Sequence, residues 1–298
     1  MSLKTHLTLG RVSNLPTVWT NVLTAGTLAG ATLISTSNLL LLFAMSLFYV
    51  AGMYYNDACD AEHDTEHQPY RPIPAGLITQ HTVEAFAFAY GLAAFLLVYS
   101  ARMSSPEAQG SASIGWLSGT LSLVLCIVVY NRHHKDNSFS PILMAACRAA
   151  VIVTSSYALT ASFASALFIV LLAILAWLTG LTFLAKHEHT IEHSSGSLLS
   201  HWPLMLLCIP VLLGGFFSLS SPAVLLPLGL LVIVIARAKT RLHQGPVHLK
   251  GQAIGLLIAG ICLVDGLFLA WVWGIEGAIV SVMAMSTTLL LQRWVAGT

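Results

Sequence analysis

Apolar runs of about 20 residues, the length that crosses a bilayer core as a helix, recur along the whole chain. The bounds of the candidate spans are Leu15–Ile34, Leu39–Asn56, Val83–Ala101, Ile114–Tyr130, Pro141–Leu159, Phe163–Ala185, Trp202–Phe217, Ala223–Ala236, Ala253–Trp273 and Gly277–Leu291. The seventh and eighth spans are short, and a Ser/Pro turn near Ser220–Pro222 separates them. The sequence therefore predicts ten spans, or nine if these two form one broken segment.

Composition supports a membrane fold, because 56% of the 298 residues are hydrophobic and only 8% are charged. A soluble domain carries about 25% charged residues and needs them on its surface. The alternation of a β-barrel is missing, so the spans are predicted to be helices that satisfy their own backbone hydrogen bonds. We expect an all-α, polytopic integral membrane bundle of nine or ten transmembrane helices, with residues 1–298 forming a single domain.

The basic residues predict the orientation of the bundle. With the N-terminus in the cytoplasm, eleven of the thirteen Lys and Arg residues fall on the inside, as the positive-inside rule expects. They are Lys4, Arg11, Arg71, Arg132, Lys135, Lys186, Arg237, Lys239, Arg241, Lys250 and Arg293; Arg102 falls outside and Arg148 within a span. The polar loops 58–80, 131–140 and 186–201 are then all cytoplasmic, and we expect a bacterial inner (plasma) membrane. No basic patch suggests a nucleic acid partner, and no signal peptide is recognisable.

The densest group of charges follows the second span. Five acidic residues lie between Asp57 and Glu66, and Asn56, Asp60 and Asp64 are spaced by four residues. If the second helix continues past the membrane, these three side chains share one face. Like charges on one face repel unless a cation lies there, and hard oxygen ligands suit Mg²⁺ that also binds substrate phosphates. The bland alternative is a solvated acidic loop.

Arg71 follows this group and is held between Pro69 and Pro72. A guanidinium near a metal ion is suited to clamp a phosphate, because its planar fork donates two parallel hydrogen bonds. The sequence thus predicts a Mg²⁺ and phosphate site at the end of the second span.

The pattern Asn-Asp-x-x-Asp-x-x-x-Asp over residues 56–64, followed by Arg71-Pro-Ile-Pro-Ala-Gly, resembles the first signature of the UbiA family of intramembrane prenyltransferases. Arg11 and the segment 14–17 resemble the opening segment of that family, where the Asn lies near the diphosphate. The resemblance implies Mg²⁺-dependent ionisation of a prenyl diphosphate donor. It assigns catalysis to Asp57, Asp60, Asp64 and Arg71, metal binding to Asn56 and the same three aspartates, and donor binding to Arg11, Asn14 and Asn56.

The family also has a second motif, usually Asp-x-x-x-Asp, after the sixth span. This chain has Glu188 and Glu192 at that spacing, with His189 and His193 beside them. The glutamates are expected to act in catalysis and to hold a second Mg²⁺, while Lys186 or His187 neutralises the departing diphosphate. A zinc site and an interfacial polar loop are alternatives, although a zinc-protease motif would need His where Ile191 stands. The pattern Gly-Leu-Thr…Ala-Lys-x-Glu over 180–188 resembles the EboC-like branch.

Three further basic positions are candidates for substrate binding. The family places a basic residue of the loop after the fourth span at the diphosphate, and Arg132 or Lys135 could fill that role; ordinary positive-inside charge explains both equally well. Arg148 lies within the fifth span, where an ionisable residue is a functional or pairing hypothesis by default. Asp265, in the ninth span, is predicted to make a polar packing contact.

The resemblance predicts a transferase that moves a prenyl group from a prenyl diphosphate to a small acceptor, either aromatic or polyol/cyclitol-like. Two alternatives stay open: a terpene cyclase on the same scaffold, and a non-catalytic lipid or metabolite carrier. Membrane lipids are expected around the spans. Aromatic residues of the first two spans are candidates to line a prenyl tunnel, or alternatively an interfacial belt; they are Trp19, Phe43, Phe48, Tyr49, Tyr54 and Tyr55.

Overall fold

The computed structural model describes residues 3–32, 34–135, 137–186, 202–244, 247–295 and 297. All regular structure in these ranges is helical. The α-helices are α1 (Leu3–Leu9), α2 (Leu15–Ala29), α3 (Thr36–His67), α4 (Gln80–Ser104), α5 (Gly115–His133), α6 (Ser140–Thr160), α7 (Leu167–Lys186), α8 (Trp202–Ser218), α9 (Leu225–Gln244), α10 (Val247–Trp273) and α11 (Ile275–Leu291).

Each predicted span corresponds to one of the helices α2 to α11, so the prediction of an all-helical membrane bundle is confirmed. Six segments of the described chain are long and apolar enough to cross a membrane; they lie in α3, α4, α6, α7, α9 and α10. α8 and α9 are separate helices joined through a short 3-10 helix at Pro222–Val224. The number of helices that cross the membrane, nine or ten, stays a prediction.

α3 begins where the Ser35 hydroxyl accepts a hydrogen bond from the Asn38 backbone N–H at 3.2 Å. It continues for 32 residues. At 1.5 Å per residue it is roughly 48 Å long, well beyond the thickness of a bilayer core. The first part of the predicted polar loop 58–80 is therefore helical, because no helix breaker occurs between Ala58 and Pro69 and the helix ends at His67.

The predicted loop 131–140 is also shorter than expected. Residues up to His133 belong to α5, and α6 begins at Ser140. The described residues between them, 134–135 and 137–139, lie at the same end of the bundle as the last turns of α3.

α10 lies at the centre of one half of the bundle. Of its most apolar stretch, 83% is buried, and its Leu257 carbonyl accepts a hydrogen bond from the Trp177 indole at 3.1 Å. A second apolar cluster contains residues of the five helices α2, α3, α4, α5 and α6, and Met45, Phe48 and Val98 belong to it. A cavity lies between this cluster and the apolar cluster that contains the buried residues of α10.

The end of the bundle opposite the acidic turns of α3 is fixed by loop contacts. Arg102, at the far end of α4, is buried and donates to the carbonyls of Ala108 (2.6 Å) and Ser111 (2.7 Å). Thr32 donates to Glu107 at 2.6 Å, and this hydrogen bond lowers the pKa of that carboxyl. The basic residue predicted to lie outside thus serves to close a loop.

The hairpin between α10 and α11 depends on a glycine. A Cβ at Gly277 would overlap the backbone carbonyl of Leu269. Small residues let membrane helices approach this closely. We expect Gly277→Ala to lower the free energy of unfolding by about 1–3 kcal/mol, as overpacking does. Thermal unfolding in detergent measures the change. Gly229→Ala, where nothing lies within 4 Å of the new Cβ, is the matched control; an equal effect at both positions would contradict the close approach.

Candidate active site

The last turns of α3 carry the acidic cluster, defined here as Asn56, Asp57, Asp60 and Asp64. All four side chains are buried, with 2–7% of their surface exposed, whereas Glu62 and Glu66 on the same turns are exposed. The helical period explains this division, since positions three, four, seven and eight residues apart share a face. The cluster therefore faces the interior of the bundle.

Two arginines from outside α3 contact this cluster. Arg71 Nη1 lies 2.9 Å from Asp64 Oδ2 and 3.7 Å from Asp57 Oδ1. Arg11 Nη2 lies 3.3 Å from Asp57 Oδ1 and 3.3 Å from Asn56 Oδ1. The side chains of both arginines are about one-fifth exposed, so they lie at the rim of the bundle interior. Residues predicted from two separate segments thus meet at one place.

Asp60 has its own basic partners in the connection between α5 and α6. Lys135 Nζ lies 2.9 Å from Asp60 Oδ1, and His134 Nε2 lies 3.6 Å from Asp60 Oδ2. Lys186, at the end of α7, contacts this connection and donates to the carbonyl of Asn137 at 2.9 Å. It therefore supports the loop that carries Lys135 and makes no contact with the described acidic cluster.

Arg132 points away from the acidic cluster. Its Nε donates to the Tyr55 hydroxyl at 2.8 Å, and both residues line an outer pocket with Cys59 and Glu84. Of the two basic candidates from this region, Lys135 contacts the acids and Arg132 does not. The prediction had treated the two as equal.

A cavity of about 300 Å³ lies directly inward of the basic residues. Arg11, Asn14 and Arg71 line it at one end, and its walls are mostly apolar. The residues that form the deeper walls include Val18, Met45, Phe48, Leu123, Ile127 and Ile258. The cavity thus has a charged mouth and mostly apolar walls, with Arg148 as a further charged residue in its lining.

Only some of the aromatic residues predicted to line a tunnel do so. Phe48 and Tyr49 border the cavity. Trp19 and Phe43 are 39% and 66% exposed on the outer surface, which agrees with the belt alternative. Among the remaining two, Tyr54 packs against His6 and Phe86, and Tyr55 borders the outer pocket. Of the two alternatives, tunnel lining therefore does not hold for these four residues, because side-chain direction depends on helix rotation.

Several polar residues at the site were missed by the sequence analysis. Asn131 Oδ1 accepts from the Asn56 side-chain amide at 3.2 Å, and Asn14 Oδ1 accepts from Gln292 Nε2 at 3.2 Å. The Asn14 amide donates to the Gly297 carbonyl at 2.9 Å and to Tyr49 at 3.1 Å. An isolated amide at the end of an apolar run was the available signal for Asn131 and Gln292.

The second motif cannot be placed in this site. Glu188 and Glu192, together with His187, lie outside the described residues, as do His189 and His193. Within the described part of the chain, no group of three or more His, Cys, Asp or Glu side chains is arranged to hold a metal ion by itself. The second metal and the acceptor role of this segment stay predictions.

The geometry suits one kind of ligand. Buried carboxylates paired with three basic side chains can exchange those partners for a cation and a polyanion. The apolar cavity next to them suits a hydrocarbon tail. An amphiphile with an anionic head is therefore the ligand that this arrangement favours.

The family model of the UbiA prenyltransferase family matches residues 15–247, more than half of the chain. The chain belongs to the UbiA prenyltransferase family. The resemblance inferred from residues 56–76 is thus confirmed, while the EboC-like branch stays a prediction. As expected of this family and of its apolar helices, the protein is an integral membrane protein with several spans.

Among curated proteins, digeranylgeranylglyceryl phosphate synthase of Methanoregula boonei is 31% identical over 105 residues. The match covers 28% of this chain and 38% of that relative, so it spans well under half of the relative's length.

Solved structures share the fold at low identity. A UbiA homologue from Aeropyrum pernix K1 has a TM-score of 0.65 at 14% identity, covering 91% of this chain and 98% of that one. A digeranylgeranylglyceryl phosphate synthase has a TM-score of 0.61 at 18% identity, with coverages of 92% and 99%. A UbiA homologue from Archaeoglobus fulgidus, bound to GPP and Mg²⁺, has a TM-score of 0.61 at 12% identity, with coverages of 91% and 99%.

Proposed function

We propose that this UbiA protein is a Mg²⁺-dependent prenyltransferase that ionises a prenyl diphosphate and transfers the prenyl group to a small acceptor. One observation supports this most: Asp57, Asp60 and Asp64 are buried and paired with basic side chains, and two of these, Arg11 and Arg71, line the mouth of an apolar cavity. The head of a prenyl diphosphate fits the charged mouth, and its tail fits the cavity.

The donor atoms fit Mg²⁺ when the substrate is included. Mg²⁺ takes one or two carboxylates, keeps waters and uses substrate phosphates as further ligands, so it needs no all-protein cage. Asp57, Asp60 and Asp64 would supply the carboxylates, and Asn56 an amide oxygen. The ion would neutralise part of the diphosphate charge. Glu188 and Glu192 are proposed to hold a second ion.

The basic residues have a second role in this proposal. Arg11, Arg71 and Lys135 are held by the carboxylates until the donor binds, and they then turn their N–H groups to the diphosphate oxygens. As the allylic C–O bond breaks, its electron pair leaves with the diphosphate, and these fixed positive charges stabilise the leaving group. An electron pair of the acceptor forms the new bond to the allylic carbon, and the acceptor loses a proton.

Other parts of the site support these steps. Asn14 is proposed to bind the diphosphate, and Lys186 to hold the loop that carries Lys135; His187 is proposed to contact the departing diphosphate. The apolar walls keep water away from the allylic cation. The cytoplasmic side of a bacterial plasma membrane is proposed for this mouth, because eleven of the thirteen Lys and Arg residues fall on that side in the predicted topology.

Product analysis tests the proposal. The purified protein is incubated with Mg²⁺ and a radiolabelled prenyl diphosphate, with and without an extract of small metabolites, and the lipids are identified by mass spectrometry. A transferase gives diphosphate and a prenylated product that requires the extract. A terpene cyclase gives a hydrocarbon or terpene alcohol without it, and a carrier gives no diphosphate; either result would reject the proposal.

The two basic candidates near α5 differ in their expected effects. Lys135→Gln removes the cation 2.9 Å from Asp60, and we expect kcat/KM for the donor to fall about 10- to 100-fold, as when a charge-assisted hydrogen bond is lost. Arg132→Gln is the control, because Arg132 contacts Tyr55 in the outer pocket. Steady-state kinetics of diphosphate release measure both; the reverse order of effects would place the donor in the outer pocket.

Metal binding is expected to depend on the donor. Mg²⁺ alone must displace Arg71 and Lys135 from the carboxylates, whereas a diphosphate gives those cations a new partner. We therefore expect Mg²⁺ at millimolar concentration to shift the thermal unfolding midpoint little, and Mg²⁺ with a prenyl thiodiphosphate to raise it by several degrees. A full shift with Mg²⁺ alone would contradict this linkage.

A further inference from the structure

Arg148 introduces a charge deep in the cavity that the donor site does not use. It lies within α6 and borders the cavity. Its Nη1 donates to Asn21 Oδ1 at 3.0 Å and its Nη2 to Thr17 Oγ1 at 2.9 Å. The guanidinium carbon lies 5.5 Å from the centre of the Tyr49 ring. Neutral groups thus hold the side chain in a fixed direction.

The negative charge opposite Arg148 does not contact it directly, because Asn21 lies between the two. Asp265 on α10 is fully buried, and its Oδ2 accepts from Asn21 at 2.7 Å and from Thr20 at 2.6 Å. Asn21 therefore bridges the two charges through its amide. No carboxylate in the described part of the chain forms an ion pair with Arg148. A guanidinium has five N–H groups, and the hydrogen bonds of the described residues use two of them.

The position of Arg148 is one to two helical turns deeper than the donor head group. Thr17 lies one turn beyond Asn14 on α2, about 4.5 Å at the helical rise. Tyr49 lies seven residues before Asn56 on α3, about 10 Å along the axis. A diphosphate at the mouth places its allylic carbon in this interval. The acceptor must also bind here, because its nucleophile needs to come within about 3–3.5 Å of that carbon.

An uncovered guanidinium at this depth would oppose catalysis. In an apolar cavity it repels the allylic cation that the acidic cluster and its basic partners help to form. An oxyanion covering the guanidinium removes this repulsion and accepts two parallel hydrogen bonds from it. We propose that Arg148 binds a carboxylate or phosphate group of the acceptor, so that the acceptor is an anionic molecule. This inference rests on the proposed prenyltransferase function and specifies its acceptor class.

Paired acceptors test the inference. The pairs are glycerol 1-phosphate with glycerol, and 4-hydroxybenzoate with its methyl ester, each supplied with a prenyl diphosphate and Mg²⁺. We expect wild-type protein to prefer the charged member of at least one pair by about 10- to 100-fold in kcat/KM. The two pairs distinguish phosphate from carboxylate as the bound group.

Substitutions at Arg148 locate the preference. Arg148→Met is expected to remove it by raising KM for the charged acceptor, without a matching rise in KM for the donor. Arg148→Lys, which keeps the charge but loses the fork, is expected to keep a reduced preference. Thermal unfolding in detergent shows whether each variant folds; if Arg148→Met does not, the wild-type panel and Arg148→Lys decide.

The outcomes separate the two proposals. Diphosphate release without transfer to any acceptor, or no release at all, would reject the prenyltransferase function and the inference with it. Transfer with equal or greater preference for the neutral members would overturn the inference alone. A rise in KM for the donor in Arg148→Met, with the acceptor preference intact, would also overturn it and place Arg148 at the donor diphosphate.

Discussion

Asp64→Asn is expected to lower the rate of diphosphate release from a prenyl diphosphate by about 100- to 1,000-fold, the loss typical of removing one fixed electrostatic contact to a transition state. Asp64 is the most buried acid of the cluster and lies 2.9 Å from Arg71. Asparagine has nearly the same shape, so the substitution removes a negative charge with little change in packing. It thereby weakens Mg²⁺ binding and releases Arg71 from its position.

Glu62→Gln is the matched control for this substitution. Glu62 belongs to the same turns of α3, and its side chain is exposed on the opposite side from the acidic cluster. The same charge change there is expected to alter the rate by less than about twofold, as for surface charges in general. A coupled assay for released diphosphate measures both variants. Activity in Asp64→Asn close to that of wild type would show that the acidic cluster is structural.

Arg71→Gln is expected to have the second-largest effect, because Arg71 contacts two carboxylates of the cluster. The substitution leaves Asp57 and Asp64 with one positive partner fewer in a mostly buried site, where unpaired charge is strongly destabilising. It also removes a forked donor for the diphosphate. We expect kcat/KM for the donor to fall about 100-fold or more, and the thermal unfolding midpoint without donor to fall.

The conservative variant separates charge from geometry at this position. Arg71→Lys keeps the positive charge and is expected to recover the unfolding midpoint in part, but little of kcat/KM, because a single ammonium lacks the planar fork. Arg237→Gln, at an exposed position on α9, controls for the loss of one positive charge. Full recovery of kcat/KM by Arg71→Lys would show that Arg71 acts only as a charge.

The acidic half of the site could be predicted because it depends on local periodicity. The four-residue spacing of Asn56, Asp60 and Asp64 fixes a common face once the helix continues, and no proline or glycine occurs between Asn56 and Pro69. Arg71 comes only four residues after the end of α3 at His67, so it stays near that face. The bundle itself was predictable for a similar reason, since each apolar run is long enough to form its own helix.

Contacts between distant segments could not be read from the sequence. Lys135 and Arg132 are three residues apart and both carry a positive charge, and only the packing of α5 against α3 turns Lys135 to Asp60 and Arg132 to Tyr55. The contact of Asn14 with Gln292 joins residues 278 positions apart. Helix rotation likewise exposes Trp19, which its hydrophobicity alone did not reveal.

The contacts of Arg148 could not be predicted from the sequence either. The sequence identified Arg148 and Asp265 as two ionisable residues within spans, with a functional or pairing role for Arg148 and a polar packing contact for Asp265. It did not predict that Asn21 bridges the two side chains and leaves the guanidinium at the cavity wall. This arrangement leaves the guanidinium available to bind the acceptor, the substrate that the acidic cluster does not specify.

Electron cryomicroscopy of the protein bound to Mg²⁺ and a non-hydrolysable prenyl thiodiphosphate tests the central claim most directly. We predict that the diphosphate lies between the acidic cluster and Arg11, Arg71 and Lys135, with the prenyl tail in the cavity beside Phe48. Density for the diphosphate elsewhere, for example beside Arg132 in the outer pocket, with the pairs Arg71–Asp64 and Lys135–Asp60 intact, would contradict the proposed site.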